Sequence, residues 1–290
     1  MIDILYTVIT FSSMLILFKY FGRYQVNNLQ AIIVNYFTAG SLALFIANAN
    51  DTPIVFQHII LSPYILPSLI IGLLFIITFN LLAYGTQKIG IAISTVANKM
   101  SMIIPVIIGI YLFKETLGIF KLIGIILAIS AIYMTSTKGG KLSFDKKYIP
   151  IILLIFFGQG MADGTLSWAQ KFTITSENTP LFFACTFLSA GISGSLFLLY
   201  ELIVKKTRFQ AKSIPWGIAL GIPNYLTLQF FVRSLQSPFL ESSQVFPVVN
   251  MWVIILSAVG GILLFKEKLT PFNWSGIALA VIAISLITFF

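Results

Sequence analysis

Ten apolar runs follow one another along the chain with little between them, at about 4–21, 29–48, 63–86, 90–113, 118–136, 148–170, 180–204, 214–235, 239–264 and 271–290. A helix rises about 1.5 Å per residue and the hydrocarbon core of a bilayer is about 30 Å thick, so a run of roughly 17–25 residues can cross it. No single globular core could bury ten such runs; lipid has to cover much of their surface. The composition agrees, with 58% hydrophobic and only 9% charged residues among 290. The expected fold is an all-α polytopic membrane protein with ten transmembrane helices. Short loops make successive helices antiparallel neighbours. The first run begins at Ile4 with neither a positive n-region nor a small-residue cleavage site, so it reads as a spanning helix and not as a signal peptide.

The 18 Lys and Arg outnumber the 9 Asp and Glu. The excess lies in short loops, where positive charge records orientation in the membrane and not a nucleic-acid surface. Loops after runs one, three, five, seven and nine hold thirteen basic residues, from Lys19 and Arg23 to Lys266 and Lys268, against four in the others, Lys114, Lys121, Lys171 and Arg233. That count places the first set in the cytoplasm and both termini outside. Cys185 stands alone in an apolar run, so no disulfide or thiolate metal site can be built from it. Neither a metal nor a cofactor is expected. No Walker A sequence is present, which argues against direct drive by ATP.

The two halves repeat. Leu112-Phe113-Lys114-Glu115 recurs 152 residues later as Leu264-Phe265-Lys266-Glu267. At that offset Leu117, Phe120, Gly124, Ile125, Leu127 and Ala128 match Leu269, Phe272, Gly276, Ile277, Leu279 and Ala280, and Lys19 matches Lys171. Five spans per half is an odd number, so the halves must insert with opposite orientation. The expected organisation is two inverted five-helix repeats, residues 1–136 and 148–290, joined by the glycine- and lysine-rich loop 137–147. In transporters built this way the site lies near the midplane between the repeats.

Charge at membrane depth then points to the residues that matter. Lys99 sits near the middle of the span Ile91–Phe113. At 100° per residue it shares an arc of roughly 160° with Ser94, Thr95, Asn98, Ser101 and Pro105. A charge at the centre of a bilayer costs about 2.5–3.5 kcal/mol on insertion scales, so it faces the bundle interior or a water-filled cavity. Asp163 is the one acidic residue well inside a span, on a stripe with Gln159, Ser167 and Gln170. It can carry a proton, pair with Lys99, or do both in turn. Further polar candidates are Asn35 in the second run, Asn80 and Tyr84 in the third, Asn224 in the eighth and Asn250 in the ninth. Asn250 is the offset partner of Asn98; anchoring on Gln87 and Gln236 instead shifts the match to Pro247. Residues from six helices converging on one polar lumen would account for the set. Glu115 and Glu267, at helix ends, are expected to hold their turns.

At the repeated Leu-Phe-Lys-Glu segments the chain resembles the drug/metabolite transporter superfamily, specifically the EamA-type ten-helix carriers. In that family the fourth helix of each five-helix repeat ends in a turn with a glutamate, matched here by Glu115 and Glu267. A glycine-containing fifth helix follows, matched by Gly124 and Gly276. The family usually has Leu-Gly-Glu where this chain has Phe-Lys-Glu, and its termini tend to be cytoplasmic, opposite to the charge count.

The resemblance implies a secondary carrier, not an enzyme. It would export a small polar or amphiphilic metabolite, such as an amino acid or organic acid, by alternating access across a bacterial inner membrane. Protons are the expected coupling ion and the lipid bilayer the other partner. Lys99 would hold an anionic group of the solute and Asp163 an amine or a proton. Two other readings are a lipid-carrier flippase, whose cavity would open laterally to lipid, and a non-transporting assembly or sensor protein. An intramembrane enzyme would need a base–nucleophile or metal set at depth, and no span holds a histidine or paired carboxylates.

Overall fold

The computed structural model describes residues 2–49, 54–105, 107–108, 118–138, 141–142, 145–175, 177–235 and 242–289. These form eleven helices: α1 (Ile2–Arg23), α2 (Asn28–Ala49), the single turn α3 (Phe56–Ile60), α4 (Ile65–Lys88), α5 (Ile91–Met100), α6 (Ile119–Ser136), α7 (Ile149–Phe172), α8 (Thr179–Ile203), α9 (Ser213–Leu235), α10 (Ser242–Phe265) and α11 (Pro271–Phe289). Between α6 and α7 lie two short antiparallel strands, β1 (Thr137–Lys138) and β2 (Lys141–Leu142), within the expected connecting loop. Six helices are long and apolar enough to cross a membrane: α1, α2, α4, α7, α8 and α10. Stretches of α5, α6 and α11 are apolar but shorter. The protein is a multi-pass helical membrane protein.

Local chemistry explains where several helices start. Thr270 and Asn273 cap each other ahead of α11. The Asn273 amide donates to Thr270 Oγ1 at 3.2 Å, and the Thr270 amide donates to Asn273 Oδ1 at 2.9 Å. Thr175 and Asn178 repeat this reciprocal pattern before α8, at 3.4 and 2.8 Å. The Thr270–Asn273 pair satisfies an amide that the first turn of α11 leaves without a partner, and the Thr175–Asn178 pair closes the turn that leads into α8. Pro150 and Pro180 sit in the first turns of α7 and α8, where a missing N–H costs nothing. Asn273 also donates to the carbonyls of Met134 and Thr135, both at 3.0 Å, tying the start of α11 to the end of α6.

The helices pack in a closed pattern. α6 lies along α11; α2 packs on α8 and α9; α4 packs on α7 and α8; α1 packs on α4, α9 and α10. In lipid, helix association depends on close approach, and small residues supply it. Gly217 and Gly221 of α9 abut the backbone of α2 at the carbonyls of Ala31 and Asn35. Two apolar clusters result. The larger joins α1, α2, α4, α7, α8 and α9 with Val249 and Val253 of α10; the smaller joins α6, α10 and α11 around Ala128, Ala131, Ile254, Ala280 and Ala283. Helix α5 contributes to both: Ile91, Ile93 and Ala97 to the first, Ala92, Val96 and Met100 to the second. With α10, which also contributes to both, it forms the seam of the molecule.

Candidate functional site

The sequence expectation of one continuous span from Ile91 to Phe113 is corrected here. Helix α5 stops at Met100, Ser101 and Met102 form a turn, and helical geometry resumes at Ile103. The cause is Pro105. A proline has no amide to donate four residues back, and its ring crowds the carbonyl of residue 101. The freed groups find other partners. Ser101 Oγ donates to the Asn98 carbonyl at 2.5 Å, the Ile104 amide to the Ser101 carbonyl at 2.9 Å, and the Met102 amide to the Lys99 carbonyl at 3.4 Å. Non-helical backbone at membrane depth is tolerated where it is buried in protein or lines a cavity. The break falls immediately after Asn98 and Lys99.

Across from it stands α7. Asn98 Nδ2 donates to Gln159 Oε1 at 3.1 Å, and Gln159 Nε2 donates to Asp163 Oδ1 at 2.8 Å. This relay joins the lysine-bearing helix to the aspartate-bearing one. Gly160 and Gly164 let it form: each lies against the resumed part of α5, at Ile104 and Ile108. The Lys99 ammonium rests on the face of Phe11 from α1, 3.6 Å from the ring centroid, a cation–π contact. Among the described residues it has no hydrogen-bond acceptor. Lys99 and Asp163 stand at the two ends of the Asn98–Gln159 relay yet form no ion pair within 4.0 Å. Nearby oxygens are likewise unpaired: Asn98 Oδ1, Ser94 Oγ and Thr95 Oγ1 on α5, and Ser12 Oγ beside Phe11, all buried. Two opposite charges thus stand near each other, unpaired, beside a break in a helix and a row of free oxygens.

The other sequence candidates are placed differently. Asn250 is half-buried on α10, its amide 3.9 Å from Met102 Sδ just past the break, so it borders the same seam. Asn35 and Asn224 face each other between α2 and α9, with Asn224 Nδ2 donating to Asn35 Oδ1 at 3.0 Å. Both are buried and tie two helices together. Asn80 spends its amide on its own helix, at the Ile76 carbonyl, 2.7 Å away. Tyr84 is exposed, its ring 6.2 Å from that of Tyr148. One lumen gathering residues from six helices is therefore not what forms: Lys99, Asn98, Gln159 and Asp163 come together, Asn250 sits at their edge, and Asn35, Asn224, Asn80 and Tyr84 serve elsewhere. The reason is local competition, since an asparagine in a helix can satisfy itself on its own backbone or on a facing amide.

Sequence reasoning overlooked Phe11 and Ser12, and it underrated Glu267. That carboxylate accepts the Ile91 amide at 3.0 and 3.2 Å and the Lys19 ammonium at 2.9 Å. It caps α5 from another turn of the chain. Pro105 was the available signal for the break, and the alignment of Lys19 with Lys171 was the signal for Glu267's partner. Gln236 and the whole first Leu-Phe-Lys-Glu segment, Leu112, Phe113, Lys114 and Glu115, lie outside the described residues.

Comparison with known proteins agrees with this architecture. Residues 1–137 match the EamA-like transporter family. The first half of the chain is EamA-like. A protein of Haemophilus influenzae, itself uncharacterised, is 28% identical over 258 residues, covering 88% of this chain and 86% of that protein. A crystal structure with 13% sequence identity superposes with a TM-score of 0.66 over 99% of this chain and 96% of its own, a likeness of fold alone. The apolar helices agree with that match over the first half of the chain.

Proposed function

We propose that this EamA-like protein is a secondary transporter, an exporter in the bacterial inner membrane, that binds a small zwitterionic or acidic solute between Lys99 and Asp163. The observation that carries this reading is the unpaired state of the two charges. A lysine and an aspartate kept only for structure would be expected to meet, because leaving each uncompensated at depth costs several kcal/mol. Among the described residues Lys99 has only an aromatic face and the Asp163 carboxylate only an amide. A solute with a carboxylate for Lys99, an amine for Asp163 and donors for Asn98 Oδ1 would complete both. Without solute, a proton on Asp163 would lower the cost of its burial, which makes protons the natural coupling ion.

Alternating access would come from two inverted repeats, residues 1–136 and 148–290. The packed helix pairs support that division. Exchanging α1, α2, α4, α5 and α6 with α7, α8, α9, α10 and α11 turns α1–α10 into α7–α5, α2–α9 into α8–α4, and leaves α2–α8, α5–α10 and α6–α11 unchanged. The test is uptake into liposomes holding purified protein, with labelled amino acids and organic acids supplied under an imposed proton gradient. At least one should be transported, and Lys99→Ala and Asp163→Asn should each abolish it. Unchanged uptake in both variants would sink the proposed site; a solute taken up only when it carries an acyl chain would favour the flippase instead.

A further inference from the structure

The last residues of α1, α4 and α10 are Arg23, Lys88 and Phe265, and all three line one cavity of about 390 Å³. Pockets that hold small ligands measure about 300–1,000 Å³. Lys19, Gln25 and Gln87 complete the polar lining, and Val26 joins Phe265 in an apolar wall. Among the described residues no acidic side chain lines it. All three helices are long and apolar enough to cross a membrane, so the cavity lies at the level where lipid headgroups meet water.

The three cations are not equivalent. Lys19 is neutralised by Glu267 at 2.9 Å, and it spends a second N–H on the Thr86 carbonyl, also at 2.9 Å. An ammonium has three N–H groups, so one remains for a ligand. Arg23 and Lys88 are exposed, and among the described residues neither has an ion-pair or hydrogen-bond partner. The cavity therefore carries two uncompensated positive charges. A cation in the last turn of a helix often does no more than face the negative end of the dipole. Here the carbonyls that create that pull are taken. Tyr20, Phe21 and Gly22 accept the amides of Tyr24, Val26 and Gln25 at 2.9, 2.8 and 3.4 Å, and Gly85 accepts those of Ile89 and Gly90 at 2.8 and 3.1 Å.

The turn after α1 adds a donor at a conformational cost. Gln25 adopts φ +51°, the left-handed position that glycine usually fills in such a helix ending. A carboxamide lines the cavity as a result. Glycine stands three residues earlier instead: a Cβ at Gly22 would come within 2.8 Å of Gln87 Cγ. Gln87 could not easily yield, because its amide is tied to the Phe18 carbonyl at 2.9 Å and to Asn28 Oδ1 at 2.8 Å.

We propose that this cavity binds a phosphate group, with Arg23 and Lys88 balancing its charge and Lys19 and Gln25 supplying further N–H donors. A phosphate monoester carries about −1.5 to −2 charges at pH 7 and offers three strong acceptor oxygens, which matches two free cations and the donors beside them. The planar guanidinium of Arg23 can meet two of those oxygens with parallel hydrogen bonds. A lipid headgroup and a soluble phosphate present the same oxygens, and the wall of Val26 and Phe265 suits the organic part of either. Binding there does not depend on transport and can be measured without it.

The full chain in phosphatidylcholine nanodiscs is titrated calorimetrically with inorganic phosphate, at an ionic strength held constant with sodium chloride. The parent should bind at one saturable site. Arg23→Gln and Lys88→Gln should each weaken binding roughly 10-fold, through loss of a charge-assisted hydrogen bond. Lys206→Gln, which removes an exposed cation between α8 and α9 outside the cavity, should leave it unchanged. In a second arm phosphatidylglycerol is built into the nanodiscs and phosphate is omitted. A melting temperature raised by that lipid in the parent, but not in Arg23→Gln or Lys88→Gln, assigns the phosphate to a headgroup. Saturable binding of inorganic phosphate without that lipid effect assigns it to a soluble ligand. The site is refuted if neither probe acts on the parent, or if Arg23→Gln and Lys88→Gln respond to it as the parent does.

Discussion

Gly160→Ala tests whether the site depends on the fit between α7 and the broken helix. A methyl at Gly160 would fall within 3.0 Å of three carbon atoms of Ile104, on the part of α5 that resumes after Ser101. Carbon atoms repel strongly at that separation, so the helices must part or Ile104 must leave its rotamer. Overpacking of this kind costs about 1–3 kcal/mol. Gly160 follows Gln159, so a shift of α7 also stretches the 3.1 Å bond from Asn98 that links the two helices. Unfolding in mixed micelles titrated with SDS should show the loss, with a parallel fall in transport. The decisive measurement is the double variant with Ile104→Ala, which removes two of the three clashing carbons. Its cost should be smaller than the sum of the two single costs by about 0.5–2 kcal/mol. Additivity within about 0.5 kcal/mol would mean that α7 and α5 are not in contact there, and the geometry of the site would have to be redrawn.

Removing both buried charges with Lys99→Met and Asp163→Asn should raise stability while ending transport, since two poorly compensated charges leave the interior; a less stable double variant would show that they support the fold. Asn224→Ala should cost about 0.5–1.5 kcal/mol, because Asn35 Oδ1 loses its buried partner, with solute affinity unchanged; altered affinity would return the pair to the binding site. Pro105→Ala should restore an amide able to bond the Ser101 carbonyl and extend α5 through the break. Amide exchange at residues 101–105 should slow and transport should fall, and unaltered exchange would remove Pro105 as the cause of the break.

Much of this architecture is written in the chain at low resolution. Apolar runs of the right length announce helices, because lipid leaves the backbone no other way to satisfy itself. Lys99 and Asp163 could be named for the same reason: charge at depth is rare and must be placed. The polar amides could not be sorted. Asn98 and Asn35 look alike in a sequence, yet one reaches Gln159 across the seam and the other accepts from Asn224 between two packed helices. Which partner an amide finds depends on helix rotation and crossing, set by contacts such as those of Gly217 and Gly221 with α2. Glu267 was legible as a turn residue and illegible as the cap of α5, because 176 residues separate it from Ile91.

The offset of 152 residues also explains why the charges at the centre stay apart. Lys99 corresponds to Met251, and Asp163 corresponds to Phe11, the ring on which Lys99 rests. The four positions are one set seen twice. In a symmetric pair of repeats an aspartate at position 11 would face Lys99, and the two would be held in an ion pair. Substituting an aromatic ring for one aspartate and a thioether for one lysine leaves a single positive and a single negative group. The ring then offers the ammonium a weaker attraction than a carboxylate would. On the proposed reading a solute carboxylate would displace that contact at little cost, whereas a direct Lys99–Asp163 ion pair would have to be broken first. The asymmetry between the repeats is what keeps the two charges available.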